Sequence, residues 1–376
     1  MDLSLNETQQ MLKASAADFL RGECPYSLVR EMEQDDTGYP PALWSQMAQL
    51  GWTGLAFPEE HGGAGGGLMD LAVLLEEMGR ALLPGPFFST VVLGGLTVLG
   101  EGTDSQKRDI LPGVCQGTTL MTLALTEADA SYRPEGIRLE ARRDGDGYVL
   151  NGAKLFVPDA HVSNFMVVAA RTSQGDDERG ITTFLVPTGG QGIGMTPHRT
   201  LGADKQSEVV FDGVRVPAES VLGTEGEGWP AIQRALDRAA AARCMEMLGA
   251  ANAVLEMTVE YAKQRVQFGR PIGSFQAVQY HCANMAIQVD SCRHMAYLAM
   301  WRLAEGLPAS TEVSMAKAWV SRAYREVCAT AQQAHGAIGF TQDHNLQLYT
   351  RRARAQEVTF GNTRHHKDLV GRSLGL

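Results

Sequence analysis

The chain has 376 residues, of which 44% are hydrophobic and 20% are charged, and its formal net charge is −10. This length exceeds the usual size of a single hydrophobic core, so we expect two or three domains. The acidic balance argues against binding to nucleic acid, which requires a concentrated basic face. No apolar run approaches the roughly 20 residues that cross a bilayer, so we expect no membrane span.

The N-terminal residues MDLSLNETQQMLKAS lack the basic start and apolar core of a secretory signal, which favours a cytoplasmic protein. Ser4 and Glu7 have the spacing of a capping box and predict the start of a helix. The six cysteines include no CxxC pair. They indicate thiols in a reducing compartment rather than a disulfide framework or a zinc site.

The hydrophobic pattern divides the chain into three parts. Residues 1–118 carry apolar side chains at three- and four-residue spacing, as in Leu43–Leu50 and Leu71–Leu82, and predict a helical domain. Residues 119–226 contain short β-prone runs between Gly, Asp and Asn clusters and predict an antiparallel β-barrel or sandwich. Residues 227–376 predict a C-terminal four-helix bundle. Its predicted helices span residues 229–264, 276–305, 310–334 and 344–359.

Two other patterns do not indicate a site. The glycine-rich stretches at residues 62–67 and 189–194 lack the GxGxxG spacing of a dinucleotide-binding loop. His365 and His366 are adjacent but have no further ligand at metal-binding spacing. We therefore predict no metal site and interpret the two histidines as part of a solvated tail.

Two segments contain residue types that suit a phosphate-bearing cofactor. RVQFGRPIGSFQ (residues 265–276) places Arg265 where a predicted helix ends, and a guanidinium there can form a forked pair with a pyrophosphate. QAHGAIGF (residues 333–340) places Gly336 at another helix end, where glycine permits a close approach of the backbone to a ligand.

These segments, with LGWTGLAFPEEHGGAG (residues 50–65) and the helical–β–helical order, resemble the acyl-CoA dehydrogenase family over nearly the whole chain. The resemblance implies the acyl-CoA dehydrogenase fold, FAD as cofactor and α,β-dehydrogenation of an acyl-CoA thioester. It also implies electron-transferring flavoprotein as the acceptor. Arg265 would bind the pyrophosphate, and five further residues would contact the FAD of a neighbouring subunit. These five are Phe268, Gln276, Gln333, His335 and Gly336.

The β segment resembles the family less closely. LTEADAS (residues 125–131) is similar to the segment that holds the isoalloxazine ring, which makes Thr126 a candidate flavin contact. Phe156 can pack against the same ring, although an aromatic residue of the core is an equal alternative. Pro158 stands where the family often has a threonine, and it offers neither a hydroxyl nor an amide donor.

The family's catalytic glutamate is missing from both positions where the resemblance places it. Dehydrogenation requires a base for the α-proton of the thioester. Matching the family segment to Arg351–Arg354 puts Phe360 at the base position, and the position used by a second subgroup falls on Ala239. Glu357 and Glu246 are candidate substitutes, because residues three or seven apart on a helix share a face. A surface or interhelical charge is the alternative for both.

The chain thus keeps residues that would hold a neighbour's FAD and lacks those that would act on its own substrate. We interpret it as similar to the companion subunit of bacterial heteromeric acyl-CoA dehydrogenases, in a heterotetramer with a catalytic acyl-CoA dehydrogenase subunit. A homo-oligomer stays open. The functional alternatives are a self-sufficient dehydrogenase with a displaced base, a flavin-dependent oxygenase of the same fold, and a structural protein without flavin.

Overall fold

The computed structural model describes residues 4–175 and 177–376. Helices come first in the chain, followed by a sheet and a second set of helices. A π-helical segment, Phe88–Gly95, leads directly into the fifth helix. The N-terminal helices are α1 (Glu7–Glu23), α2 (Tyr26–Gln34), α3 (Pro41–Gln49), α4 (Leu68–Ala81), α5 (Leu96–Glu101) and α6 (Asp104–Cys115).

The first helix begins two residues later than predicted. The Asn6 side chain accepts a hydrogen bond from the Gln9 backbone amide at 2.9 Å, and the Gln9 side chain accepts one from the Asn6 amide at 3.2 Å. The predicted capping box at Ser4 and Glu7 is therefore wrong. Asparagine caps a helix as well as serine does, and glutamine completes the box as well as glutamate does.

The middle of the chain forms a single sheet in the strand order β6-β7-β3-β2-β4-β5-β8, with β1 paired to β4. Most neighbours are antiparallel, as predicted, but β1 lies parallel to β4 and β2 meets β4 at one parallel pair. This difference arises because the β2–β3 hairpin separates β1 from β4 in the chain. The strands are β1 (Met121–Ala124), β2 (Glu140–Asp144), β3 (Gly147–Pro158), β4 (Phe165–Arg171), β5 (Ile181–Pro187), β6 (Ile193–His198), β7 (Gln206–Pro217) and β8 (Val221–Leu222).

The C-terminal part contains the four long helices that the sequence predicts and two elements that it does not. A short hairpin follows the first long helix, and an additional helix follows the fourth. The elements are α7 (Trp229–Gln264), β9 (Val266–Gln267), β10 (Arg270–Pro271), α8 (Gln276–Ala304), α9 (Ser310–His335), α10 (Leu346–Val358) and α11 (Thr363–Ser373).

The predicted solvated tail is wrong, because His366 lies on α11 and is only 4% exposed. Its Nε2 atom is 2.9 Å from the Phe360 carbonyl oxygen, and its Nδ1 atom is 3.3 Å from the Ser314 hydroxyl. Burial lowers the pKa of His366 to about 3. A neutral imidazole therefore fixes α11 to the segment before it.

The described residues divide into two compact units. The helical unit comprises the segment ending at Glu31, Leu68–Leu83 and Ala240–Leu376, and the sheet unit comprises Met32–Gly67 and Pro84–Ala239. In the helical unit, α9 packs against α8, α10 and α11, and α4 packs against α1 and α8. The domain limits at residues 118 and 226 stay a prediction.

A buried ion-pair network anchors α4 in the helical unit. Glu76 is 2% exposed, and its carboxylate lies 2.6 Å from the Lys13 amine and 2.8 Å from the Arg293 guanidinium. The Tyr297 hydroxyl donates to the same carboxylate at 2.6 Å. These partners supply the charge and hydrogen bonds that a buried carboxylate requires.

Candidate functional site

The predicted flavin-facing residues of the sheet unit lie on two neighbouring segments. Thr126 follows β1, and its carbonyl accepts a hydrogen bond from the Leu155 amide on β3 at 2.7 Å. Phe156 has a φ of +56° and is 49% exposed, with its ring centroid 5.5 Å from that of His198. A bulky residue with positive φ is strained, and such strain is concentrated at functional sites. The exposure of Phe156 also favours a ligand contact over the alternative of a core aromatic.

A buried ion pair holds the segment that contains Thr126, and no sequence pattern predicted this pair. Lys154 is fully buried, and its amine donates to the Glu127 carboxylate at 2.6 Å and to the Leu125 carbonyl at 3.1 Å. Glu127 also accepts the backbone amides of Arg138 and Leu139. Burial lowers the pKa of the Lys154 amine to about 8, although the Glu127 carboxylate opposes this shift.

Arg265 and Phe268 lie in the hairpin that joins α7 to α8. Arg265 directly follows the last residue of α7 and is exposed, and its carbonyl accepts the Ile272 amide at 2.8 Å. Phe268 has a φ of +52° and is 93% exposed. Gln276 is the exposed first residue of α8. The hairpin therefore displays a cation and an aromatic ring on the surface of the helical unit.

The second predicted cofactor segment lies at the end of α9. Gln333 is exposed, whereas His335 is 4% exposed and its ring stacks on Tyr261 at 4.4 Å. The His335 Nδ1 atom is 2.8 Å from the Ala331 carbonyl, and Nε2 is buried without a hydrogen-bond partner in residues 4–175 and 177–376. Gly336 adopts φ +68° and ψ −147°, a backbone conformation that only glycine occupies readily.

These residues fit FAD. Arg265 supplies the positive charge that a pyrophosphate needs, and Phe268 offers an uncovered aromatic face. His335 has a buried nitrogen without a partner among the described residues, and nothing lies within 4 Å of a Cβ placed on Gly336. The roles of Arg265, Phe268, Gln276, Gln333, His335, Gly336, Thr126 and Phe156 stay predictions.

Phe360, the predicted base position, lies in the turn between α10 and α11. Phe360 has a φ of +57°, and Gly361 has a φ of +99°. The fully buried Lys317 amine donates at 3.1 Å to the carbonyls of Gln356, Glu357 and Gly361. Burial lowers the pKa of this amine to about 8. Lys317 and His366 together hold the turn, although the sequence analysis identified neither residue as a constraint on it.

Glu246, one of the two substitute bases, forms an ion pair with Arg243 one helical turn earlier on α7. The Gln356 side-chain amide donates to the same carboxylate at 3.4 Å. The Arg243 guanidinium also lies 5.7 Å from the centroid of the Phe360 ring. Glu246 is thus one ion-pair partner within a group of residues from α7 and α10.

Glu357, the other substitute base, lies 3.5 Å from the Arg325 guanidinium, and its side chain is 16% exposed. Because α10 ends at Val358, Glu357 and Phe360 do not share a continuous helix. The three-residue spacing therefore does not place them on one helical face, which removes the reason for choosing Glu357. Ala239, the base position of the second subgroup, is fully buried on α7.

The described residues offer neither a membrane-spanning helix nor a cluster of metal ligands. Among the helices of residues 4–175 and 177–376, none has both the length and the apolar character needed to cross a membrane. The same residues contain no group of three or more His, Cys, Asp or Glu side chains placed to hold a metal ion. The six cysteines are free thiols, and five of them are buried.

Comparison with known proteins assigns all three parts of the chain. Profiles of the acyl-CoA dehydrogenase N-terminal, middle and C-terminal domains match residues 6–118, 122–214 and 226–375. Probable acyl-CoA dehydrogenase YngJ of Bacillus subtilis is 32% identical over 382 aligned residues, which cover 100% of both chains.

Solved structures agree with this assignment. Butyryl-CoA dehydrogenase from Megasphaera elsdenii is 30% identical and superposes with a TM-score of 0.93 over 100% of both chains. A chain of the ChsE4-ChsE5 complex from Mycobacterium tuberculosis is 28% identical, with a TM-score of 0.91 over 100% of this chain and 99% of that one. The protein therefore belongs to the acyl-CoA dehydrogenase family, whose members are FAD-dependent oxidoreductases.

Proposed function

We propose that this chain is an FAD-binding companion subunit of a heteromeric acyl-CoA dehydrogenase. Phe360 carries the proposal, because a phenyl ring occupies the position where the family resemblance expects the base. A positioned base contributes about 10² to 10⁴-fold to the rate of a proton transfer. A chain without that base depends on another subunit for efficient removal of the α-proton.

The nearby carboxylates have other partners. Glu246 pairs with Arg243 and accepts from Gln356, which joins α7 to α10. Glu357 pairs with Arg325, which joins α10 to α9. These interhelical contacts account for both glutamates without a catalytic role. The companion-subunit function is therefore favoured over a self-sufficient dehydrogenase with a displaced base.

In the proposed assembly, the role of this chain is to hold the cofactor and the substrate in place. FAD, when bound, supplies an acceptor for the hydride that leaves the β-carbon of an acyl-CoA thioester. Arg265 would pair with its pyrophosphate, Phe268 would cover the adenine half, and Gly336 would allow the backbone to approach. The catalytic subunit would supply the base.

One observation supports assembly with another subunit, and a second supports a heteromer. Phe268 is 93% exposed, and a large aromatic ring left in water at a cofactor-binding segment fits a surface that another subunit covers. The similar chain from the ChsE4-ChsE5 complex comes from an assembly with two named components. We further propose electron-transferring flavoprotein as the electron acceptor. The name of a relative from Acetobacterium woodii, caffeyl-CoA reductase-Etf complex subunit CarC, supports this choice.

The test is the anaerobic visible spectrum of the purified chain before and after addition of a panel of acyl-CoA thioesters. We expect no bleaching of a stoichiometric flavin band by the isolated chain. We expect bleaching after reconstitution with an acyl-CoA dehydrogenase that co-purifies with it from its native host. Full dehydrogenase activity of the isolated polypeptide contradicts the proposal.

Two variants and one assay separate the alternatives. If the isolated chain is active and Glu246→Gln or Glu357→Gln abolishes flavin reduction, the affected glutamate is a displaced base. Reductase-linked oxygen uptake without thioester oxidation identifies an oxygenase instead.

A further inference from the structure

An arginine of the sheet unit has two buried side-chain nitrogens that lack hydrogen-bond partners among the described residues. Arg238 lies on α7, and its Nε and Nη2 atoms are buried. Neither atom has a hydrogen-bond partner in the part of the chain that the structure describes. A buried guanidinium without partners is costly, so an orphan of this kind requires an explanation such as a bound anion.

The Glu101 carboxylate, whose charge acts on Arg238, forms an ion pair with another arginine. Arg234 lies one helical turn before Arg238, and its Nε and Nη2 atoms donate to the two oxygens of Glu101 at 2.9 and 2.7 Å. Asp237 accepts the Gln233 side-chain amide at 3.1 Å. Burial lowers the pKa of Arg238, while the negative charges of Glu101 and Asp237 oppose this shift. Neither carboxylate therefore accepts a hydrogen bond from Arg238 Nε or Nη2, which stay without hydrogen-bond partners among the described residues.

A second unpaired polar group faces the same arginines from α5. Thr97 is 2% exposed, and its hydroxyl has no hydrogen-bond partner among residues 4–175 and 177–376. Thr97 precedes Gly100 by three residues and Glu101 by four, so the three share one face of α5. A Cβ placed on Gly100 would lie 3.5 Å from Arg238 Nη1, and Glu101 contacts Arg234. The Thr97 face of α5 is thus directed at Arg234 and Arg238.

We propose that Thr97 and Arg238 form a binding site for a carboxylate group at the end of a small organic ligand. A guanidinium pairs with both oxygens of a carboxylate, and a hydroxyl donates a third hydrogen bond to it. A carboxylate has two acceptor oxygens, which match the two guanidinium nitrogens that lack partners among the described residues. A phosphate dianion would leave a buried negative charge without compensation, which is unfavourable. Gly100 leaves room beside the guanidinium, because a side chain there would contact Nη1.

Two classes of molecule carry such a carboxylate. One is an acyl-CoA thioester whose acyl chain ends in a carboxylate, and the other is a free dicarboxylic acid. The inference goes beyond the proposed function and does not rest on it, because the site is defined by unpaired groups on α5 and α7 alone. The experiment distinguishes the two sources.

The experiment is isothermal titration calorimetry of the full chain, with thioesters in length-matched pairs. The pairs are succinyl-CoA with butyryl-CoA, glutaryl-CoA with valeryl-CoA, and adipyl-CoA with hexanoyl-CoA; succinate, glutarate and adipate are titrated alone. In at least one pair, the carboxylated ligand should bind about 10- to 100-fold more tightly, as expected for charged hydrogen bonds. Arg238→Gln should abolish this preference, and Thr97→Val should reduce it about threefold to tenfold.

Arg234→Gln is the matched control, because it makes the same change of charge one turn away. The preference for a carboxylate should survive in this variant. Without ligand, Arg238→Gln should not lower Tm below that of Arg234→Gln, since no native hydrogen bond is lost. A larger drop in Tm for Arg238→Gln shows a structural role and overturns the inference.

The remaining outcomes separate this inference from the proposed function. Equal binding within every pair, with no binding of the dicarboxylates, overturns the carboxylate site and leaves acyl-CoA binding intact. A preference that persists in Arg238→Gln also overturns it. Binding of a dicarboxylate that requires Arg238, without binding of any thioester, supports the site and contradicts the proposed acyl-CoA function.

Discussion

Phe360 has no acid–base chemistry in its side chain. It lies in a turn whose backbone carbonyls accept hydrogen bonds from buried side chains. The buried Lys317 amine binds the Gly361 carbonyl at 3.1 Å, and His366 binds the Phe360 carbonyl at 2.9 Å. The Arg243 guanidinium lies 5.7 Å from the Phe360 ring. Residue 360 therefore lies in an ordered turn with a guanidinium beside its ring.

Phe360→Glu should restore proton abstraction in the isolated chain. The Arg243 guanidinium would favour the ionised form of the new carboxylate, as a nearby opposite charge does. We expect exchange of the α-proton of an acyl-CoA thioester to rise about 10² to 10⁴-fold. The measurement is loss of the α-proton NMR signal in D₂O. Glutamine has the shape of glutamate but no basic carboxylate, so Phe360→Gln should exchange the α-proton at the wild-type rate. Equal exchange in wild type and Phe360→Glu would show that residue 360 is not at the base position.

The residues around this turn also show the limit of inference from sequence. Motif spacing predicts the base positions at residues 360 and 239, which stays a prediction, whereas no motif predicts the buried amines of Lys154 and Lys317. Lysine is rarely buried, and no local pattern signals a lysine that binds carbonyls distant in sequence. Lys317 contacts the end of α10 some forty residues away in the chain.

At the scale of elements, α4 and α7 meet within the helical unit through glycines on both helices. A Cβ on Gly79 would lie 2.0 Å from the Glu246 carbonyl oxygen, and a Cβ on Gly249 would lie 1.7 Å from the Glu76 carbonyl oxygen. Real Cβ atoms do not approach backbone atoms so closely. The two helices can keep this separation only if both positions lack a side chain.

Gly249→Ala should therefore destabilise the protein, although alanine favours a helix by about 1 kcal/mol over glycine. Forcing the helices apart costs typically about 1–3 kcal/mol or more, and we expect a net loss of about 2 kcal/mol. Urea unfolding measures the change. Gly371→Ala on α11 is the matched control, because nothing lies within 4 Å of the added Cβ. The control should gain about 0.5–1 kcal/mol. Equal stability of Gly249→Ala and wild type would disprove the tight crossing.

The elements that could be predicted are those with long, regular patterns. The sequence prediction for α7, residues 229–264, coincides with the structure because apolar residues recur at helical spacing along this segment. It missed α11, whose sequence TRHHKDLVGRS offers few apolar residues and depends on the burial of His366. The β9–β10 hairpin was missed because each strand has only two residues.

At the scale of the whole molecule, the predicted cofactor segments of the helical unit carry an unusual amount of exposed apolar surface. Large exposed apolar patches on a protein surface mark sites of interaction. The side chains lie in and beside the segments at residues 265–276 and 333–340. They are Val266 (51% exposed), Phe268 (93%), Tyr280 (66%), Ile338 (47%) and Phe340 (65%).

Phe268→Ser tests whether these segments form a subunit interface. Full burial of a phenylalanine side chain contributes about 1.5–3 kcal/mol, so its loss should weaken each contact about 10- to 100-fold. We expect sedimentation equilibrium to show a shift toward smaller species, accompanied by loss of flavin absorbance from the assembled fraction. Met11→Ser is the matched control, because Met11 is 73% exposed on α1, outside both segments. If both variants assemble and retain flavin as wild type does, no subunit covers Phe268. This result would also contradict a cofactor-binding role for the α7–α8 hairpin.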